Sequence, residues 1–184
     1  MEPKQALEDL QAIRQVMERT RWAIATSGAG YIMIVWGAIW FIGFLGSQFL
    51  EKDLQGKIWA VLVPLGIVAS IVLGRLLGKQ VKGRPEWKIW AFWLALFSYA
   101  GLWGQIFPKP ADEMVGFLFI VTVVMFGYVI MGLWIATAFA WIGIAITALA
   151  LAGYYLLPGY FPLWMALCGG GTLIGSGLYI QRWR

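Results

Sequence analysis

The sequence predicts an all-α, polytopic membrane bundle of six transmembrane helices, N-in and C-in, preceded by an amphipathic cytoplasmic helix. Three observations carry this reading. Of the 184 residues, 61% are hydrophobic and only 12% charged, against about a quarter charged in soluble domains. A chain so poor in charge cannot cover its apolar surface in water, and a bilayer removes the need to. The apolar residues also form long uncharged runs between short charged segments, and the positive residues gather on one side of the resulting map.

The first 22 residues read as a helix outside the hydrocarbon. Ala6, Leu10, Ile13 and Met17 recur at helical spacing and form an apolar stripe. Lys4, Glu8, Asp9, Arg14, Glu18 and Arg19 occupy the other face. Their signs balance, unlike the strongly basic face of a helix that lies on anionic lipid. The helix is therefore expected to pack on another protein surface or to fold back on the loops of its own bundle, with Leu10, Ile13 and Met17 as the contact stripe. The polar start and the long first apolar run do not have the form of a secretory signal peptide.

The first span is expected over 23–50, which is uncharged and, at about 1.5 Å per residue, longer than the roughly 30 Å hydrocarbon. It must tilt or extend into the interface, with Ser27-Gly28-Ala29-Gly30 as its soft point. After a polar loop holding Glu51, Lys52, Asp53 and Lys57, the second span covers 58–77 and contains Pro64. A basic loop follows with Arg75, Lys79, Lys82, Arg84 and Lys88. The third span, 89–107, is closed by Pro108-Lys109-Pro110 and by Asp112 and Glu113. The stretch from Met114 to Gln181 carries no charge and accommodates three spans, at 115–133, 136–156 and 163–181. The outer turn between the last two is Pro158-Gly159-Tyr160-Phe161-Pro162, and the weakly marked inner turn falls between Gly132 and Thr137.

Charge tests the topology. With the N-terminus inside, eleven Lys and Arg residues lie on the cytoplasmic side, and only Lys52, Lys57 and Lys109 lie outside. That distribution satisfies the positive-inside rule. Parity agrees, because an acidic outer loop at 112–113 and a basic inner tail at Arg182 and Arg184 require an odd number of crossings between them. Trp22, Trp87, Trp90, Trp134 and Trp183 then fall near the inner interface, and Trp59, Trp103 and Trp164 near the outer one. Trp36, Trp93 and Trp141 lie deeper and are expected to pack between helices.

The motifs exclude more chemistry than they offer. The chain has no histidine and one cysteine, Cys168, so the commonest general base and metal ligand are missing and no intramolecular disulfide can form. The net charge of +5 follows the span ends and is expected to face lipid, not nucleic acid. Gly-Gly-Gly-Thr-Leu-Ile-Gly at 169–175 lacks the phosphate-loop lysine and lies in an apolar span. No ionisable residue falls at mid-span, which removes the usual mark of ion coupling. Ser98 and Tyr99 are adjacent in the third span, with no base at their depth. The expectation is a protein without catalytic residues, bound metal or cofactor.

Two packing ridges stand out. Gly171 and Gly175 form a small-xxx-small pair in the last span, and Ala136 and Ala140 open a similar ridge in the fifth. The expectation is that these two helices pack face to face. Gln48 and Gln105 are the polar candidates for lining a path, should the protein be a small channel or facilitator. A third reading is a sensor of lipid or small hydrophobes, with Trp36, Trp93 and Trp141 walling a pocket.

The run Ile13-Arg14 followed by Met17-Glu18-Arg19-Thr20, with Ser27-Gly28 opening the first span and a Gly-rich end from Gly169 to Arg184, resembles a group of bacterial six-helix membrane proteins. Their N-terminal helix has the form Ile-Arg-x-x-Met-Glu-Arg-Ser, and Thr20 stands here in place of the serine. The likeness covers about the first 45 and last 20 residues and carries no assigned activity. It implies a bacterial inner-membrane protein whose N-terminal helix belongs to the architecture. The leading expectation is a non-enzymatic module that engages a cytoplasmic partner, or a second copy of itself, through that helix.

Overall fold

The computed structural model describes residues 28–77, 86–107 and 112–182, together with Gln5, Gln11, Ala12, Arg14, Gln15 and Glu18. Among the described residues there is no strand, and six helices are long and apolar enough to cross a membrane. This fits a multi-pass membrane protein. The helices are α1 (Ala29–Phe49), α2 (Lys52–Leu77), α3 (Glu86–Ile106), α4 (Glu113–Trp134), α5 (Thr137–Leu156) and α6 (Pro158–Gln181). The contact stripe Leu10, Ile13 and Met17 lies outside the described residues, as do 78–85 and 108–111.

Each helix starts or stops where local chemistry requires it. Gly28 opens α1 with φ of 85°, a left-handed conformation that only glycine adopts without strain. The described helix begins at Ala29 and runs for 21 residues, about the length needed to cross the hydrocarbon. Only Leu50 and Glu51 separate α1 from α2. The polar segment expected to be a loop, up to Lys57, is instead the first turns of α2, because residues from Lys52 onward can bond back as a helix at once. Asp112 caps α4 by accepting the N–H of Met114 at 2.9 Å. The weakly marked inner turn resolves to Ile135 and Ala136 between α4 and α5.

α6 is irregular. A 3-10 turn (Pro158–Tyr160) and one α turn (Phe161–Trp164) lead into a π segment (Met165–Gly170), and α geometry resumes at Gly171–Gln181. A π turn holds one residue more than the α turn it replaces. Every later residue therefore sits about where its predecessor would in an unbroken α-helix, a rotation of roughly 100°. Without the turn, Ser176 would occupy the slot that Gly177 holds.

The core is built by α1, α4, α5 and α6, with Met33, Phe44, Met125, Ile146, Phe161, Met165 and Leu173 among its buried side chains. α1 packs mainly on α6, and α4 mainly on α5. Burial separates the layers: 39% of the apolar window of α1 and of α6 is buried, against 11% in α2 and 6% in α3. α2 leans on α1, and α3 leans chiefly on α4.

Glycines set the closest approaches. On α6, a Cβ at Gly177 would lie 2.5 Å from the Gly30 carbonyl oxygen, and one at Gly170 would lie 2.9 Å from the Gly37 carbonyl oxygen. The two pairs run antiparallel along α1 and α6 and allow the backbones to touch. This corrects the expected packing pair. Gly171 and Gly175 meet nothing within 4 Å, because they sit one residue around the helix from the face that meets α1. Ala140 packs closely against Gly132 of α4. Ala136 lies at the start of α5 against the core cluster. α5 meets α6 elsewhere, where the Trp164 ring rests on Gly153.

Candidate functional site

Several polar side chains of the spans join one helix to another. α1 and α2 are held by two reciprocal clasps. The indole N–H of Trp36 on α1 donates to Ser70 Oγ on α2 at 3.0 Å, and Ser70 donates to the carbonyl of Gly66 at 2.7 Å. In the mirror arrangement, Trp59 on α2 donates to Ser47 Oγ on α1 at 3.0 Å, and Ser47 donates to the carbonyl of Gly43 at 2.9 Å. The glycine in each clasp makes room for a ring. A Cβ at Gly43 would lie 2.6 Å from Trp59, and one at Gly66 would lie 3.1 Å from Trp36. The same pattern, Trp-x6-Gly-x3-Ser, occurs at 36, 43 and 47 and again at 59, 66 and 70. Two copies of one motif thus dock on each other head to tail, and each buries an indole donor with its acceptor supplied.

A third tryptophan acts similarly: Trp164 donates to the Leu149 carbonyl at 2.7 Å while seated on Gly153. Thr122 and Thr147 bond carbonyls of their own helices, as hydroxyls in apolar helices commonly do.

The expected site residues do not converge. Gln48 is a structural clamp at the end of α1: its amide donates to the Gly159 carbonyl at 3.3 Å, and its Oε1 accepts the Leu163 N–H at 3.3 Å. It ties the start of α6 to α1 and satisfies a helix-end donor. Gln105 is exposed on α3. The two therefore line no common path. The deep tryptophans also separate. Trp36 sits in the α1–α2 clasp, Trp93 packs on Phe97 and Tyr128, and Trp141 is 70% exposed. They wall no shared pocket.

Polar groups do gather at the end of the bundle that carries the α1–α2 turn. A cleft of about 350 Å³ opens there between α1, α2, α4 and the start of α6. Ser47, buried in the clasp, lies at its floor; Lys52 and Gln55 come from α2, and Asp112 and Glu113 from α4. Met114, Phe117 and Pro162 give it an apolar side. Lys52 Nζ meets Glu113 Oε1 at 2.7 Å across the opening. Gln55 donates its amide to the Leu50 carbonyl at 2.8 Å. Below the cleft, Phe44, Trp59 and Phe117 contact one another, with Phe44 5.2 Å from Trp59 and 5.5 Å from Phe117. The aromatic cluster fixes the first turns of α2 and α4 against α1.

Sequence reasoning placed Lys52 in one outer loop and Asp112 and Glu113 in another. The signal that joins them is the clasp motif, which brings Ser47 and Trp59 together and carries Lys52 and Gln55 with them. Among the described residues, no group of three or more Cys, Asp or Glu is placed to hold a metal ion. No protein-family model, curated protein or solved structure matches the chain.

Proposed function

We propose that the chain is a non-enzymatic integral membrane module of the bacterial inner membrane, N-in and C-in, that engages a cytoplasmic protein or a second copy through its N-terminal helix. The supporting observation is on that segment: Gln11, Ala12, Arg14, Gln15 and Glu18 are helical and exposed. Arg14 and Glu18 pair at 3.7 Å at positions i and i+4, the spacing of neighbours on one helix face. Arg14 and Glu18 belong to the polar face that the sequence sets opposite Leu10, Ile13 and Met17. An apolar stripe with a balanced polar back needs cover from something other than anionic lipid. The charge asymmetry between the two sides supports the topology, and the N-terminal resemblance supports the bacterial membrane.

The test is replacement of Leu10, Ile13 and Met17 together by Ser in the full chain. A cross-linked partner or the oligomer is expected to be lost, while membrane insertion and the melting temperature in detergent stay unchanged. Identical cross-linking and particle size in the triple variant would remove this reading.

A further inference from the structure

We propose that the cleft at the α1–α2 turn binds a zwitterionic headgroup of the phosphoethanolamine type, with a primary ammonium next to an anion. The argument is one of unspent hydrogen-bonding capacity. Asp112 uses one oxygen on the Met114 N–H, and Glu113 holds Lys52. Gln55 has donated its amide to Leu50, which leaves Oε1 as an acceptor. Ser47 donates to Gly43 and accepts from Trp59, so it adds no free donor. What remains on the wall is acceptor oxygen on Asp112, Glu113 and Gln55, with the spare N–H bonds of Lys52 as the only charged donor among the lining residues.

That balance selects the ligand class. A simple anion would meet two carboxylates and one ammonium. A simple cation would have to share Glu113 with Lys52. A zwitterion satisfies both sides: its ammonium takes Glu113 and Asp112, and Lys52 turns from Glu113 to its anion. Each charge then keeps an opposite partner through charge-assisted hydrogen bonds. The exchange is cheap because the pair is open to solvent, with the Lys52 and Glu113 side chains 80% and 55% exposed. Met114, Phe117 and Pro162 supply an apolar side for the first carbons beyond the headgroup. A lipid or the free headgroup presents the same chemistry.

The experiment uses the full chain in nanodiscs containing equal phosphatidylethanolamine, phosphatidylcholine and phosphatidylglycerol, with retained lipid counted by native mass spectrometry. Retention of phosphatidylethanolamine is expected to exceed that of phosphatidylcholine about tenfold, because the quaternary headgroup has no N–H to donate. D112N with E113Q should abolish the preference, K52R should keep it, and K57M, outside the cleft, should not change it. Gln55→Leu gives a milder variant that should halve the preference if the carboxylate double variant fails to fold. Displacement by free phosphoethanolamine supports the headgroup alone as sufficient, and retention without displacement supports the lipid as the source. Equal retention of the three lipids, a preference for phosphatidylglycerol, or full retention in D112N/E113Q would overturn the proposal.

Discussion

The α1–α6 pair and the α1–α2 pair share a helix but are joined by different physics. Against α6, α1 presents Gly30 and Gly37, and the backbones of the two helices come into contact. Against α2, it presents Trp36, Gly43 and Ser47, and the contact is made by indoles and hydroxyls. The first interface gains from dispersion over a long close approach, and backbone atoms, which cannot move aside, are among its tightest contacts. The second rests on two hydrogen bonds in an apolar setting and on rings that can shift. One helix thus carries a rigid face and a latched face, and substitutions on the two should fail by different amounts.

The largest effect is expected at the rigid face. Gly177→Val places new atoms against the Gly30 carbonyl at 2.5 Å and near the Ile34 side chain at 2.8 Å. The main obstacle is backbone, so a loss of about 3 kcal/mol or outright failure to fold is expected in reversible detergent unfolding. The latched face should give less. Ser70→Ala removes the acceptor of Trp36 and leaves an indole N–H unpaired between helices, for about 1–2 kcal/mol. Trp36→Phe in the Ser70→Ala background should then cost little more, since the unpaired donor is gone. If the double-variant cycle shows the two changes to be additive, the clasp does not hold α1 to α2.

Helix number and class were legible because the spans are long apolar runs with almost no charge. The latched face was also written in the chain, as Trp-x6-Gly-x3-Ser at 36–47 and 59–70. It passed unread because each serine taken alone looks like a hydroxyl bonding its own helix, which Ser47 and Ser70 also do. The rigid face was not legible. Gly169, Gly170 and Gly171 are consecutive, and a regular helical period gives no reason to choose among them. The choice is made by the π segment at Met165–Gly170, whose extra residue rotates the remainder of α6. The cleft was illegible for a related reason: Lys52 and Glu113 are far apart in sequence and meet only because α2 and α4 begin side by side.

The smallest expected effect is the one that separates the two registers most sharply. Gly170 and Gly171 are neighbours in sequence, yet a Cβ at Gly170 would press on the α1 backbone within 2.9 Å, whereas one at Gly171 meets nothing within 4 Å. Gly175 is equally open. A helical glycine facing open space gives up roughly 0.8–1.0 kcal/mol of helix propensity relative to alanine and gains no contact in exchange. Gly171→Ala and Gly175→Ala should therefore be neutral or stabilise by up to about 1 kcal/mol, while Gly170→Ala should destabilise by about 2 kcal/mol. Thermal unfolding of the three variants in one detergent decides it. If Gly175→Ala costs as much as Gly170→Ala, Gly175 faces a neighbouring helix, and the register that sets Gly170 and Gly177 against α1 is wrong.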